Sequence, residues 1–134
     1  MKYLALVLIA TLAMYGSLSQ KVDQYQACSE KAKTQTEMHA CANDEVKRAD
    51  VELNQTYAML LSKAKNDSRK TAKIRAAERA WILYRDTYID AMYPAENKQA
   101  EYGSAYPTEV DLLRAKLTRQ QIAAVQVLLE QYSH

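Results

Sequence analysis

The sequence has few of the residues that bend or interrupt a chain. Its 134 residues include two glycines, two prolines and no phenylalanine, and the aromatic residues are ten tyrosines and one tryptophan. So little glycine and proline leaves few places for tight turns, and runs of β-branched residues are scarce. The length favours a single domain with one core. This composition predicts an all-α protein.

Residues that carry chemistry are also scarce. The only histidines are His39 and His134, and the chain contains no nucleophile elbow, no phosphate-binding glycine loop and no two-histidine helical metal motif. Most carboxylates lie where a solvated helix face would place them. The formal charge of +2 is small and gives no basic patch for nucleic acid or anionic surfaces. We therefore expect no catalytic site, no cofactor and no nucleic-acid partner.

The first 19 residues have the pattern of an export signal. Lys2 supplies the positive charge, residues 4–15 form an apolar run too short to span a bilayer as a mature helix, and Ser17 and Ser19 are small residues before a cleavage site. We predict cleavage after Ser19 and a single mature domain of residues 20–134, periplasmic or secreted, with a formal charge of +1. No cysteine directly follows the apolar run, so a lipid anchor is not supported.

The two cysteines, Cys28 and Cys41, both fall in the predicted mature chain. An exported protein meets oxidising conditions, so we expect one disulfide that pins the N-terminal segment and contributes about 3 kcal/mol. A metal site built from Glu37, His39 and Cys41 is the alternative. It lacks a second ligand cluster and is disfavoured by typical zinc-ligand spacing.

Apolar residues recur at intervals of three and four and predict three long helices. The first begins just before Gln35, where Thr34 and Glu37 have capping-box spacing, and ends near Lys65. The second covers residues 69–93 and stops before a proline. The third begins near Pro107 and runs to about residue 131; the residues it is expected to bury are Val110, Leu113, Leu117, Ala124 and Leu128.

The second helix is expected to be central, because it is apolar around much of its circumference. The residues on this predicted surface are Ile74, Ala77, Trp81, Ile82, Tyr84, Tyr88, Ile89 and Met92. A short connection makes the first two helices antiparallel neighbours, which predicts an antiparallel three-helix bundle.

The register of these two helices suggests a structural polar network. It sets Asn54 level with Trp81 and Asp50 level with Arg85, so we predict an ion pair between Asp50 and Arg85. The residues assigned to the network are Asp50, Asn54, Tyr57, Trp81, Arg85 and Asp86.

Several short pieces of the chain carry a resemblance to a known family. They are Cys28 with Thr36-Glu37-Met38 and Cys41, then Ala49-Asp50-Val51-Glu52-Leu53-Asn54 with Tyr57, then Ala80-Trp81-Ile82-Leu83-Tyr84-Arg85-Asp86, then Gly103-Ser104, then Leu117-Thr118-Arg119. In this order they resemble the LprI-like lysozyme inhibitor family of small exported bacterial proteins, over residues 25–130. The resemblance implies an all-helical fold and, for some members, inhibition of lysozyme by protein binding.

The chain departs from the resemblance at one place. Members often carry a second cysteine pair, and the corresponding positions here hold Ile89 and Leu113. We expect these two side chains to make an apolar contact instead of a disulfide.

Residues 94–106 are predicted to be the only long irregular stretch, and loops of this length are usually functional or mobile. Tyrosines crowd the loop and give large contact area at low entropy cost, which suits a cleft-blocking inhibitor. The alternative is that they only cover the open end of the bundle. The candidate partner-contact residues are Tyr93, Glu96, Glu101, Tyr102, Ser104 and Tyr106.

Two other functions stay open. The protein could be an envelope binding module for another protein without inhibiting lysozyme. It could also carry a small ligand in a cavity among Met38, Tyr57, Trp81 and Tyr84, although such residues at helical spacing are usually core. The oligomeric state stays open as well.

Overall fold

The computed structural model describes residues 24–133, and all regular structure in that range is helical. The helices are α1 (24–29), α2 (Gln35–Ala64), α3 (Ser68–Met92), α4 (Lys98–Tyr102) and α5 (Tyr106–Gln131). The predicted all-α class is confirmed. No helix of the described range is long and apolar enough to cross a membrane. The predicted signal peptide and its cleavage site lie outside this range.

Local hydrogen bonds explain where the long helices begin. At α2 the Thr34 hydroxyl accepts from the Glu37 amide and the Glu37 carboxylate accepts from the Thr34 amide, so the predicted capping box is confirmed. At α3 the Asp67 carboxylate accepts from the Lys70 amide. Pro107 lies in the first turn of α5, where its missing amide hydrogen costs nothing.

Helices α2 and α5 pack closely and contact each other in the same order along the chain. His39 contacts Asp111, and Tyr57 contacts Gln121. Several buried residues of these two helices have small side chains. Ala42, Ala49 and Thr118 are fully buried, and Ala115 is 3% exposed. Small residues let two helix backbones approach each other, and α2 is consequently the most buried helix of the described chain.

Helix α3 stands further from the other two, which corrects the expectation that it is central. Only Ile74 and Ile89 are buried in it, whereas Tyr84, Tyr88 and Met92 are exposed. The buried and half-buried positions recur at intervals of three and four, but three of them are polar; they are Thr71, Ile74, Glu78, Trp81, Arg85 and Ile89. The prediction from apolar residues alone therefore included positions on the exposed side of α3 and left out the polar positions on its buried side.

The buried apolar residues form two clusters. One lies near the α2–α3 turn and consists of Leu53, Tyr57, Leu60, Ala64, Ile74, Ile122 and Val125, with Trp81 packed against it. The other consists of Ile89, Val110 and Leu117, with Leu113 packed against it. The expected association of Ile89 with Leu113 is therefore present in this second cluster.

The burial expected along α5 is right in its first half and wrong in its second. Ala124 and Leu128 are exposed, and Ile122 and Val125 are buried in their place. The buried stripe passes through the polar residue Thr118, which shifts its phase relative to the stripe read from apolar residues alone.

The predicted disulfide is confirmed. Cys28 in α1 bonds to Cys41 in α2, with 5.7 Å between their Cα atoms. It ties α1 to the second turn of α2. Since its sulfur is bonded to Cys28, Cys41 is not available as a metal ligand, and the alternative metal site is excluded.

The segment after α3 is more regular than predicted. Residues 94–97 lead into the one-turn helix α4, whose Asn97 side chain accepts from the Ala100 amide. Gly103 ends that helix with φ at 71°, a conformation that favours glycine. The predicted irregular loop is thus corrected to a capped helical turn.

Candidate functional site

Three tyrosines pack against one another where α3, α4 and α5 meet. The ring centroids of Tyr93 and Tyr102 are 5.2 Å apart, those of Tyr93 and Tyr106 are 5.1 Å apart, and those of Tyr102 and Tyr106 are 5.6 Å apart. The first two pairs meet edge to face and the third is stacked, arrangements that aromatic rings prefer. We call these three residues the tyrosine cluster. All three are half-buried.

Polar contacts fix the tyrosine cluster to the backbone around it. The Tyr102 hydroxyl accepts from the Ala95 amide at 3.1 Å, and the Lys98 ammonium donates to the Tyr93 carbonyl. The Tyr93 hydroxyl lies 3.4 Å from the Glu109 carboxylate. Burial raises the pKa of Tyr93, and the charge of Glu109 raises it further. The segment between α3 and α5 is therefore held in one arrangement.

Exposed polar side chains lie close to this cluster in the sequence. Glu96, Glu101 and Ser104, the other predicted contact residues, are all exposed and lie in the same segment. Residues 90–109 contain four acidic residues and one lysine, a formal charge of −3. We call residues 90–109 the acidic end.

The opposite end of the long helices is basic. Residues 63–79, which we call the basic end, contain seven basic and two acidic residues, a formal charge of +5. The 25 residues of α3 span about 37 Å. The first turns of α3 belong to the basic end and its last residues to the acidic end, so about 15 Å of helix, residues 80–89, lies between the two ends. The nearly neutral net charge therefore conceals a strong polarity.

The predicted polar network is assembled only in part. Arg85 donates to Asp86 at 2.8 Å and lies over the ring of Trp81, with 5.2 Å between the guanidinium carbon and the ring centroid. Asp50 takes part in no salt bridge of the described residues, and Asn54 is exposed. The predicted ion pair of Asp50 with Arg85 is therefore replaced by contacts within α3, because α3 stands away from α2.

Tyr57 belongs to the contact between α2 and α5. It is 4% exposed, and its hydroxyl accepts from the Gln121 amide group at 3.0 Å. Burial raises its pKa, the hydrogen bond from Gln121 partly offsets that effect, and the charge of Glu78 adds to it. Since Tyr57 is packed and Tyr84 is exposed, these side chains do not line one ligand cavity.

A second polar network lies between α2 and α5 and was not predicted. The buried Glu45 accepts from Arg48 at 2.8 Å and from Arg119, which also lies 3.3 Å from Glu52. Glu45 is only 7% exposed, so its charge is neutralised by two arginines rather than by water. The i,i+3 spacing of Glu45 and Arg48 was a weak signal, and nothing in the sequence indicated Arg119 as the partner.

A third polar group joins the N-terminal ends of α2 and α5. The buried Asp111 accepts from His39 at 3.1 Å, from Arg114 at 2.9 Å and from Asn43 at 3.4 Å. Its partners His39 and Asn43 lie about 70 residues away in the sequence and are brought to Asp111 by the fold, so sequence reasoning did not identify them. The described residues contain no group of three or more histidine, cysteine or acidic residues that could hold a metal ion.

An open groove of about 560 Å³ runs beside the Glu45 network. Its walls come from α1, α2 and α5 and are formed by Gln24, Lys47, Arg48, Val51, Glu52, Gln55 and Arg119. The arginines on this wall already hold carboxylates, so the groove presents few unpaired polar groups to a small ligand.

These features define a small helical domain with one disulfide and two oppositely charged ends. Residues 28–125 match the lysozyme inhibitor LprI family, and the chain belongs to that family. An uncharacterized protein of Rhizobium meliloti (strain 1021) is 31% identical over 111 residues, which is 75% of this chain and 77% of that protein. No solved structure matches the chain.

Proposed function

We propose that this protein inhibits a lysozyme by protein contact and that the acidic end makes the contact. Membership of the lysozyme inhibitor LprI family supports the activity. The observation that carries the choice of surface is the fixed tyrosine cluster, with the exposed acids Glu96 and Glu101 in the same segment.

Local charge favours this surface. Many lysozymes are basic, and a net charge near zero would give this chain no attraction toward them. The acidic end has a formal charge of −3, so a basic enzyme is attracted to that end and repelled by the basic end. Charge thus orients the encounter as well as favouring it.

Rigidity of the contact segment favours tight binding. The rings of the tyrosine cluster hold each other, and the bonds to Ala95 and from Lys98 fix the backbone before any partner arrives. A surface that is already ordered loses little conformational entropy on binding. Tyrosine side chains, which combine an apolar ring with a polar hydroxyl, also suit a cleft that binds sugars.

The proposal also includes the arrangement of the helices and the cellular location of the protein. The order of contacts supports an antiparallel three-helix bundle of α2, α3 and α5, in which α2 and α5 run in the same direction. The sequence of residues 1–19 and the disulfide support export to the periplasm or the medium. We infer a non-enzymatic role for such an exported chain.

The direct test is titration of lysozymes with the purified, oxidised protein. Residual muramidase activity is measured for chicken-type, goose-type and invertebrate-type enzymes. Inhibition of at least one class at stoichiometric amounts is expected. A folded protein that inhibits none of them would contradict the proposal and favour another envelope partner.

A further inference from the structure

Between residues 76 and 91, one face of α3 is exposed and carries no charge. Successive residues of a helix turn by about 100°, and six residues consequently share one arc: Ala76, Ala80, Leu83, Tyr84, Thr87 and Ala91. All are exposed, Leu83 by 66% and Tyr84 by 55%. The Thr87 hydroxyl donates a hydrogen bond to backbone carbonyls of its own helix, so this polar group is already satisfied within the chain. Contiguous apolar faces of this kind mark interaction sites.

The size of the side chains changes along this face. Its N-terminal half is small, with Ala76, Ala77 and Ala80. Its C-terminal half is bulky, with Leu83, Tyr84 and Tyr88, and the rings of Tyr84 and Tyr88 touch with centroids 5.8 Å apart. In antiparallel contact about a two-fold axis beside Leu83, Tyr88 of one copy is level with Ala77 of the other, Tyr84 lies next to Ala80, and the two Leu83 side chains meet at the axis. A parallel pair would place bulk against bulk.

The charges beside this face also change along the helix, from basic in its N-terminal half to acidic in its C-terminal half. Arg75 and Arg79 precede the midpoint, and Asp86 and Asp90 follow it. In an antiparallel pair whose two-fold axis passes between residues 82 and 83, Arg75 is level with Asp90 of the second copy and Arg79 is level with Asp86. One register therefore forms both pairs, and the symmetry of a two-fold dimer repeats them.

These charges are available for such contacts. Arg75, Arg79 and Asp90 take part in no salt bridge of the described residues, and Asp86 is 53% exposed at its side chain although it accepts from Arg85. The same arrangement brings the acidic end of each copy toward the basic end of the other. The side-chain sizes along the face, the charges beside it and the charges of the two ends therefore all favour a second copy of this chain in antiparallel orientation.

We propose that the protein forms a symmetric homodimer through the exposed face of α3, with the two α3 helices antiparallel. The dimer covers Leu83, Tyr84 and Tyr88, the bulky residues that the single chain leaves in water. This inference does not rest on the proposed inhibition of lysozyme, because the oligomeric state is measured without the enzyme.

Sedimentation velocity of the purified protein across a wide concentration range tests the dimer. We expect a species of twice the monomer mass that grows with concentration, and a Leu83→Glu variant that stays monomeric with unchanged helical circular dichroism. The matched control is Val51→Glu, which places the same charge at a 56% exposed position of α2 and leaves the dimer intact. A wild-type protein that stays monomeric throughout, or a Leu83→Glu variant that dimerises like the wild type, would overturn the proposal.

Charge reversal tests the direction of the two helices. Arg75→Glu places like charges beside each other in the antiparallel register and raises the dimer dissociation constant roughly tenfold or more. Adding Asp90→Arg to that variant restores opposite charges, so dimerisation recovers. A double variant that dimerises more weakly than Arg75→Glu alone would rule out this register.

Discussion

Glu45 shows how a single acid can hold two helices together. It is buried on α2 and contacts both Arg48 of its own helix and Arg119 of α5. A buried charge is tolerated when its partners surround it, and removing one member leaves the others unpaired. The stability of the α2–α5 contact therefore depends on this carboxylate.

Replacing Glu45 with glutamine is expected to destabilise the protein by about 2 kcal/mol, since Arg48 and Arg119 keep their charges and lose the carboxylate that joins them, although Arg119 keeps its contact with Glu52. This value is lower than for a fully buried pair because both arginines are partly solvated. The free energy of unfolding in urea measures it. Asp44→Asn is the control, because the exposed pair of Asp44 with Lys47 is worth less than about 0.5 kcal/mol. Equal losses in the two variants would contradict the role given to Glu45.

Tyr57 makes stability depend on alkaline pH. Its pKa is raised in the folded protein, mainly by burial, so the folded state holds the phenolic proton more tightly than the unfolded state does. This contribution is complete below the ordinary value of 10.0 and is lost as pH rises from there through the folded pKa. Unfolding in urea at several pH values should therefore show stability falling above pH 10.

A Tyr57→Phe variant separates this residue from other causes of alkaline unfolding. It loses the hydrogen bond from Gln121, which costs about 1 kcal/mol at neutral pH. Its further loss above pH 10 should be smaller than that of the wild type, because the group that must ionise is gone. Parallel pH curves for the two proteins would show that Tyr57 has no part in the alkaline fall.

At the scale of elements, α2 is the helix on which the others pack. Leu60 is fully buried in it and belongs to the larger apolar cluster, whereas the adjacent Met59 is 52% exposed. Leu60→Ala is expected to cost about 3 kcal/mol, the lost transfer energy plus a cavity. Met59→Ala should cost less than about 0.5 kcal/mol. Urea unfolding of both variants measures the difference, and similar losses would contradict the burial of α2.

The sequence predicted the helices better than their faces. A capping box and a proline fix helix ends through local contacts, which is why Thr34 and the proline after α3 were informative. The buried faces depend on distant partners. Glu78 and Arg85 occupy the inner side of α3, and Thr118 that of α5, so hydrophobic periodicity alone misplaced the buried face of α3 and the second half of that of α5.

For the candidate site, the sequence likewise predicted which residues belong to it but not how they pack. Its tyrosines and acids were identified because they crowd one segment near Pro94 and Gly103. The one-turn helix α4 and the mutual packing of the three rings were not, because they require α3 and α5 to bring Tyr93 and Tyr106 together. The partners of Glu45 and Asp111 were missed for the same reason.

At the scale of the whole molecule, the disulfide adds stability that the small core lacks. It joins Cys28 to Cys41 across a sequence separation of 13, and the chain-entropy account gives about 3 kcal/mol. Reduction should therefore lower the free energy of unfolding by that amount while α2, α3 and α5 persist in circular dichroism. Unchanged stability after complete reduction would contradict this contribution.

The polarity of the molecule is the basis of the proposed contact with lysozyme. The acidic end has a formal charge of −3 and the basic end +5, so reversing one charge has different effects at the two ends. Glu101 lies beside the tyrosine cluster, and Glu130 lies in the last turn of α5 outside the acidic end. Both side chains are exposed, which makes the two reversals matched in their effect on folding.

The proposed contact is tested by the inhibition constant toward a sensitive lysozyme. This constant is measured for the wild type, Glu101→Lys and Glu130→Lys. We predict that the wild type inhibits, that Glu101→Lys inhibits roughly tenfold more weakly, and that Glu130→Lys matches the wild type. The weakening at Glu101 should shrink as salt is added, because screening reduces exposed charge interactions. Absence of inhibition by the folded wild type, or equal constants for the two variants, would contradict a lysozyme contact at the acidic end.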